Sequence, residues 1–394
     1  MKHMHIKNLG QLVDANIEFG DLTVFVGPQA TGKSIALQTL KLLVDTGQIQ
    51  HEMSDYGLDW EGQLPKFLDI YYGEGMRSLW HAEASEIRWN GAVVSLEQMA
   101  RRKRKRRDEA LFFIPAQRVL ALRDGWPRRF TDYSPGDPFA VREFSEHLRT
   151  LVEQEFNANE RLFPQERRLK REFRNLLQEN LFSDFDLKID RKSSQRRLVL
   201  GATDDSAPLP YMVWSAGQRE FIPLLLGMYW LMPPAKVAQR ASIQWVVLEE
   251  LEMGLHPRAI TVLLLMVLEL VARGYRVCLS THSQQILDGI WALRYLRDAS
   301  QGSALLLEMF GSPKTGAMTK LADTVLKKKM KVYYFDRDSG KTLDISELDS
   351  ESELMGESGW GGLGEFSGRA NDVVARAVAS LSLGGVAGMQ NETV

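Results

Sequence analysis

The chain has 394 residues, 44% of them apolar, which is enough for one or two domains with buried cores. Its 49 Lys and Arg residues and 51 Asp and Glu residues leave a formal net charge of −2, which excludes a basic field over the whole molecule. The longest apolar runs, 221–232 and 259–268, are too short to span a bilayer, and the start MKHMHIKNLG lacks the apolar core of a signal peptide. The single cysteine, Cys278, excludes a disulfide framework within the chain and fits a reducing cytoplasm. From these features together we expect a cytoplasmic protein without a membrane partner.

The first strong motif is GPQATGKS at 27–34, between a strand-like run at 22–26 and a helix-like run at 35–44. Glycines at this spacing let backbone N–H groups surround phosphate oxygens, and the helix that follows adds its positive end. The motif predicts a nucleoside triphosphate site in which Lys33 reaches the terminal phosphates and Ser34 binds Mg²⁺. The alternative is a Gly-rich turn that only caps a helix. The predicted binding residues are Gly27, Gln29, Ala30, Thr31, Gly32, Lys33 and Ser34.

An unbroken cationic run, RRKRKRR, precedes a strand-like run at 111–114. Two interpretations are equally supported, a contact with nucleic acid and a solvated connector held open by repulsion. No aromatic residues alternate with the cations, so base stacking is not indicated. The candidate nucleic-acid residues are Arg101, Arg102, Lys103, Arg104, Lys105, Arg106 and Arg107.

Between residues 141 and 182 the pattern is typical of long charged helices. Apolar residues recur at helical spacing on both sides of a break at 157–164, which predicts a helical hairpin. Two alternating runs at 185–201, around a polar turn at 191–195, predict a β-hairpin.

WSAGQRE at 214–220 places a hydroxyl and free N–H groups at the start of an apolar helix at 221–231. Such a helix start accepts phosphate, although an ordinary helix cap has the same pattern. The candidate residues are Ser215, Gly217 and Gln218.

An apolar run at 243–248 is typical of a strand buried in a parallel sheet, and it ends in Glu249 and Glu250. At such a strand end, Glu249 would support Mg²⁺ and Glu250 would orient or deprotonate water. A second strand-like run at 276–279 ends near His282, which is suited to contact a γ-phosphate. The alternatives are a surface loop of acids and a structural histidine.

The order of these motifs resembles the nucleotide-binding heads of ABC-type ATPases. Within that superfamily the chain is similar to the soluble prokaryotic branch of SMC, RecF-like and OLD-like proteins, where OLD stands for overcoming lysogenization defect. The resemblance rests on the opening through GKS, then SAGQ, EELEMGLHP and STHS. It implies an α/β P-loop NTPase with a mixed N-terminal β-lobe, a parallel core sheet flanked by helices, and a helical insertion. The expected segments are 1–100, 101–184, 185–300 and 301–394, the last with closing strands and a Gly-rich tail.

The resemblance also implies ATP and Mg²⁺ as cofactors and a homodimer or higher even-numbered oligomer. ATP at Lys33 of one chain would be closed over by Ser215 and Gly217 of another, with Glu250 and His282 supporting hydrolysis. Ser34 and Glu249 would hold Mg²⁺. For the glutamine that senses Mg²⁺ in these ATPases, FFIPAQRV offers Gln117 or Arg118. Two departures, Ala216 in the signature and Leu251 after the acidic pair, remove no catalytic group.

The C-terminal segment distinguishes a nuclease from an ATPase that carries no nuclease domain. OLD-like nucleases carry a Toprim domain that binds two metals, and Glu308, Asp336 and Asp338 superficially supply its carboxylates. The favoured alternative is a pair of short strands within 331–343 around the turn 338–340.

Three functions follow from the resemblance. The favoured one is an ATPase switch that controls a separately encoded effector protein, with antiphage defence as its setting. The second is a RecF-like or SMC-like DNA repair or recombination ATPase that binds DNA or RNA through the cationic run. The third is the ATPase subunit of a transporter, which would require a membrane partner.

Overall fold

The computed structural model describes residues 2–156, 161–190, 196–202, 207–234 and 238–349, together with 352, 357, 363, 369–371 and 373–376. The strands are β1 (Lys2–Leu9), β2 (Leu12–Phe19), β3 (Leu22–Val26), β4 (Glu86–Trp89), β5 (Ala92–Val94), β6 (Leu111–Ile114), β7 (Leu122–Arg123), β8 (Trp126–Pro127), β9 (Arg161–Phe163), β10 (Phe185–Asp190), β11 (Arg197–Ala202), β12 (Leu209–Pro210), β13 (Trp245–Glu249), β14 (Arg276–Thr281), β15 (Met330–Phe335) and β16 (Thr342–Asp344). The helices are α1 (Lys33–Asp55), α2 (Leu64–Tyr72), α3 (Leu96–Arg101), α4 (Phe139–Thr150), α5 (Arg171–Leu177), α6 (Ala216–Leu231), α7 (Pro257–Ala272), α8 (Gln284–Leu296), α9 (Gly302–Met309) and α10 (Gly316–Val325).

The central sheet has the strand order β16-β15-β3-β14-β13-β6. Strands β15, β3, β14, β13 and β6 are parallel, and β16 adds an antiparallel edge. Their carboxyl ends therefore lie along one edge, where open α/β sheets bind ligands. The predicted parallel core sheet is confirmed.

Both faces of this sheet are buried. Along β3, Val24 and Val26 belong to one hydrophobic cluster and Phe25 belongs to another. Alternate side chains of a strand point to opposite faces, so continuous apolar strands fit a sheet covered on both sides. Helices α6 and α7 contribute to the first cluster, and α1, α2 and β1 contribute to the second.

The N-terminal lobe is an antiparallel sheet with the order β2-β1-β4-β5. Strand β1 pairs with β2 along its length, and the pair Leu9 and Leu12 flanks the turn between the two strands. The lobe packs its apolar face on α1, the helix that begins at the GPQATGKS motif. This sheet therefore holds the motif from the side opposite the central strands.

The predicted helical insertion packs into the main core. Helix α4 continues as a π-helical turn at Leu151–Glu155, and α5 continues likewise at Gln178–Phe182. Part of the predicted break, 157–160, lies outside the described residues, and β9 follows it and pairs with β10. Strand β9 lies within the predicted break, and α5 with its π-helical turn covers 171–182, most of the predicted second helix. The division into segments 1–100, 101–184, 185–300 and 301–394 stays a prediction.

Two further sequence predictions concern hairpins. Strands β10 and β11 pair antiparallel as expected, and their turn at 191–195 lies outside the described residues. Strands β15 and β16 form the predicted C-terminal pair. Most of the Gly-rich tail lies outside the described residues. Among the helices that the structure describes, none has the length and apolar character needed to cross a membrane.

Candidate nucleotide site

The loop from β3 to α1 needs glycine at two positions. Gly27 has φ 144°, and a Cβ there would lie 2.5 Å from the Phe335 carbonyl oxygen. Gly32 has φ 91°, and a Cβ there would lie 2.6 Å from the Leu12 side chain. Both positions combine a left-handed backbone with close approach, which L side chains tolerate poorly. The loop borders a cavity of ≈ 280 Å³ whose lining includes Gln29, Ala30, Thr31, Lys33, Ser34, Glu250 and His282.

Lys33 lies folded onto the loop. Its Nζ donates to the carbonyl oxygens of Gly27 at 2.8 Å and Pro28 at 2.6 Å. Burial lowers its pKa to about 8, and the charges of Glu250 and Glu252 limit the fall. A buried ammonium whose hydrogen bonds go to neutral oxygens gains from a nearby anion, as the phosphates of a nucleotide would provide.

Glu249 closes the far side of the site at the end of β13. Its Oε2 accepts a hydrogen bond from the Ala116 amide at 3.1 Å, while its buried Oε1 has no hydrogen-bond partner. Burial raises its pKa to about 7, although the Ala116 amide and the Ser34 hydroxyl oppose the rise. An unpartnered buried carboxylate oxygen beside a serine hydroxyl matches the oxygen donors that Mg²⁺ prefers. Ser34 and Glu249 therefore fit the predicted metal position.

Glu250 faces the cavity from the same strand end. Its backbone has φ 43°, an uncommon left-handed conformation for a residue other than glycine. The two consecutive carboxylates therefore occupy different surroundings: Glu249 is buried, whereas Glu250 is half-buried and faces the cavity. The Glu250 Oε1 lies 3.5 Å from His282 Nε2, and this contact is the largest cause that holds the pKa of Glu250 below its ordinary value. An ionised carboxylate next to an imidazole can accept a proton from water.

Glu252 positions the histidine loop, a role that the sequence does not reveal. Its Oε1 accepts from the Thr281 hydroxyl at 2.9 Å and from the His282 amide at 2.5 Å. The string EELE shows three nearby acids, but only the fold brings the third onto the end of β14. Glu252 thus fixes the backbone from which His282 reaches Glu250.

Arg118 supports the acidic strand end from behind. Its guanidinium is fully buried and donates to the carbonyl oxygens of Glu220, Glu249 and Glu250. Gln117, the other candidate for the Mg²⁺-sensing position, is exposed at the start of a 3₁₀ turn at Arg118–Ala121. The amide that does contact Glu249 belongs to Ala116, so a role of Gln117 in binding Mg²⁺ stays a prediction.

The signature residues lie at the start of α6. The Ser215 Oγ accepts from the Gln218 amide at 3.2 Å, and the Gln218 Oε1 accepts from the Ser215 amide at 2.9 Å. This capping box places an exposed serine at the N-terminus of the helix. Gly217 allows close packing, since a Cβ there would lie 3.0 Å from the Gly254 carbonyl oxygen. None of these three residues lines the cavity at Lys33.

The structure does not assemble a second metal centre from the C-terminal acids. Glu308 lies on α9 beside Lys314, and Asp336 accepts hydrogen bonds from Ser339 within the turn that joins β15 to β16. Asp338 belongs to the same turn. Among the described residues, no group of three or more His, Cys, Asp or Glu side chains is arranged to hold a metal ion.

Arg101 is the last residue of α3, Arg102 is extended, and residues 103–107 belong to no helix or strand; the run does not reach the cavity at Lys33. Its side chains are exposed. The geometry therefore leaves the run as a separate surface, described below.

The fold and motifs are similar to known proteins. Residues 152–288 match the family described as "AAA domain, putative AbiEii toxin, Type IV TA system". Similar solved structures include an SMC head bound to the C-terminal winged-helix domain of ScpA (11% identity, TM-score 0.40) and the SMC head domain from Thermotoga maritima (11%, 0.30); each alignment covers 73% of this chain and 90% of the other. A third is MJ1267, an ATP-binding cassette of an ABC transporter in its ADP conformation, at 14% identity and a TM-score of 0.28, with 73% and 84% covered.

No curated protein matches the chain. At these identities and TM-scores, the likenesses to solved structures describe what the fold is similar to and nothing about its chemistry. The family match covers the second half of the site, and the phosphate loop supplies the first half on the same sheet. Residues 152–288 are therefore similar to that AAA family, and the phosphate loop lies on the same sheet as the matched strands.

Proposed function

We propose that the protein binds ATP with Mg²⁺, hydrolyses it, and uses the cycle of binding and hydrolysis as a switch. The observation that carries this proposal is the convergence on one cavity of Lys33, whose pKa burial lowers to about 8, an ionised Glu250 and His282. The unpartnered oxygen of Glu249 lies beside Ser34 at the same sheet edge.

Each residue has a distinct task in this proposal. Lys33 leaves the loop carbonyls and pairs with the terminal phosphates, where the loop amides add further donors. Ser34 and Glu249 hold Mg²⁺, which neutralises developing phosphate charge when it is bound. Glu250 orients a water molecule and accepts its proton, and His282 holds the carboxylate and contacts the γ-phosphate.

We further propose that two copies complete one site. The N-terminus of α6 presents an exposed Ser215 whose position lies outside the cavity of its own chain. A second copy could place that helix start, with Ser215, Gly217 and Gln218, over the nucleotide at Lys33. ATP then stabilises a dimer or a higher even-numbered oligomer, and hydrolysis releases it.

A separately encoded effector would sense the closed state. The description of the matching family includes a putative toxin of a type IV toxin–antitoxin system, which supports a setting in antiphage defence. A switch of this kind needs no further catalytic centre in the chain, in keeping with the acids of the C-terminal segment, which are engaged in turns and surface pairs.

The test uses Glu250→Gln, with Glu308→Gln as a matched change of an exposed carboxylate. Glu250→Gln should keep ATP, lose turnover, and double in mass with ATP and Mg²⁺ by light scattering after size exclusion. Glu308→Gln should behave as the wild type, and Lys33→Ala should neither bind ATP nor associate. A Glu250→Gln protein that stays a single chain with bound ATP, or that hydrolyses it normally, overturns the proposal.

A second candidate function, a DNA repair or recombination ATPase, is favoured by the exposed run 101–107. If the run binds phosphates, replacing its seven cations by neutral residues should lower nucleic-acid affinity and flatten its dependence on salt. The structural features of the run, however, favour another kind of partner.

A further inference from the structure

The cationic run is fixed along helix α1. The fully buried Gln50 donates to the Arg102 carbonyl at 3.3 Å and accepts from the Arg104 amide at 2.8 Å, and His51 contacts the Arg104 carbonyl at 3.1 Å. Gly47 allows this approach, since a Cβ there would lie 2.4 Å from the Lys105 carbonyl oxygen. A solvated connector that is held open only by repulsion between its charges would need no such hydrogen bonds. The backbone is therefore held in place while its charges face solvent.

The anchors hold three residues of the segment against α1. Arg102 and Arg104 use backbone groups toward this helix, and the Lys105 carbonyl oxygen approaches Gly47. Lys103, which lies between them, forms no backbone hydrogen bond within the part of the chain that the structure describes. Its N–H and C=O groups are thus available to pair with another chain.

Most of the charge on this segment is uncompensated. Arg106 forms an ion pair with Asp55 at 2.8 Å. The other six cations form no ion pair within the described residues. Residues 102–107 can span at most about 20 Å, the length of six fully extended residues. A line of like charges of this length attracts a partner of opposite charge.

An apolar cavity of ≈ 560 Å³ adjoins the first residue of the run. Leu64, Pro65, Leu68 and Trp80 contribute its apolar wall, with Arg77 and Arg101 among its lining. The indole Nε1 of Trp80 donates to Glu97 at 2.5 Å, which fixes the ring. The cavity can accept a large apolar side chain next to the cationic line.

We propose that the cavity and run 101–107, together the docking strip, bind an extended acidic segment of a partner protein that carries one bulky apolar side chain. The apolar wall of the cavity favours a peptide, because a peptide can place an apolar side chain there next to its carboxylates, whereas a sugar-phosphate backbone has no such side chain. Carboxylates of the bound segment face the cations, and its apolar residue enters the cavity. Nucleic acid would use the charges alone and leave the cavity unfilled.

The docking strip shares no residue with the cavity at Lys33. The proposal therefore goes beyond the ATP switch and is measured without nucleotide. Lys33→Ala should bind the peptide as the wild type does. If no peptide binds the docking strip, the outcome of the Glu250→Gln experiment is unaffected. If Glu250→Gln does not associate with ATP, the peptide experiment is likewise unaffected.

The experiment measures fluorescence anisotropy of the full chain with labelled peptides of alternating Glu and Val that carry one Leu at either end. The same peptides with Lys in place of Glu, a single-stranded oligothymidylate and a duplex oligonucleotide are the comparison probes. Lys103→Glu with Lys105→Glu reverses the outer charges, and Ala82→Trp fills the cavity from an exposed lining position. Lys320→Glu with Lys327→Glu is the charge-matched control at exposed positions elsewhere.

The acidic peptides should bind the wild type, the Lys peptides should not, and both sets of strip variants should lose about tenfold or more in affinity. The Lys320 and Lys327 control should bind as the wild type does. Retained ATP binding in each variant shows that it has folded. Three results overturn the proposal: no binding of the acidic peptides, equal binding to the strip variants, or binding of the oligonucleotides in preference to the peptides.

Discussion

Raising the pH from 7 to 9 should weaken ATP binding through the titration of Lys33. Burial lowers the pKa of this ammonium from 10.5 to about 8 in the free protein. A lysine with that pKa is about 90% protonated at pH 7 and about 10% protonated at pH 9. Bound phosphates favour the charged form and raise the pKa again. The ion pair is thus fully available below the free-state pKa and is lost above it, so the dissociation constant should rise about tenfold.

Isothermal titration calorimetry with ATP and EDTA measures this affinity without Mg²⁺ and therefore without turnover. Near pH 8 the protein should take up a proton on binding, which is visible as a dependence of the heat on the ionisation enthalpy of the buffer. Lys33→Arg is the matched variant, because a guanidinium stays charged throughout this range. Its affinity should therefore lack the part of the pH dependence that comes from Lys33.

Glu249 also titrates near this range, since burial raises its pKa to about 7. Glu249→Gln removes the titration of Glu249. The pH dependence of ATP affinity that remains in this variant should disappear in the double variant Glu249→Gln with Lys33→Arg. A wild-type affinity that is constant from pH 7 to 9 would refute the assigned pKa. An equally steep profile in Lys33→Arg would assign the titration to another group.

Two further predictions concern the surroundings of the site. Lys41→Met should lower the free energy of unfolding in denaturant titrations by about 3–5 kcal/mol, because buried Lys41 forms ion pairs with three carboxylates. Adding Glu143→Gln should restore part of the loss, and a loss too small to measure would contradict the ion-pair account. Glu252→Ala should lower kcat by about tenfold to a hundredfold with ATP affinity retained, because His282 loses its anchor. Glu252→Gln keeps an acceptor oxygen, so an equal loss in both variants would exclude this contact as the cause.

The parts of the site that the sequence predicts are local ones. The loop at 27–34 needs glycine for its own backbone path, and its neighbours have the pattern of a buried strand and a helix. Strand β3 has the predicted bounds, and β13 ends at the predicted acids. The parallel order follows because apolar strands of this kind alternate with helices. Each of these features is determined by a few adjacent residues.

The supporting contacts could not be predicted, because they join residues far apart in the chain. Ala116 reaches Glu249 across 133 positions, and Arg118 reaches the Glu250 carbonyl across 132. Charge alone does not distinguish Glu252 from its acidic neighbours. The run 101–107 has no periodicity of its own, so its path depends on contacts with another element, such as those of Gln50 on α1. Sequence patterns give the elements, whereas these pairings depend on the finished fold.

Helix α1 separates the two proposed activities while it carries both. Its first turn contains Lys33, and its second half holds the cationic run through Gln50. Between them Asp45 leaves the helical conformation (φ −117°, ψ 22°), and its carboxylate accepts from the amides of Ala110 and Leu111. These bonds fix the break in α1 to the start of β6. A rearrangement of Lys33 on ATP binding therefore has no rigid path along the helix to the run, which is why peptide binding should be insensitive to Lys33→Ala.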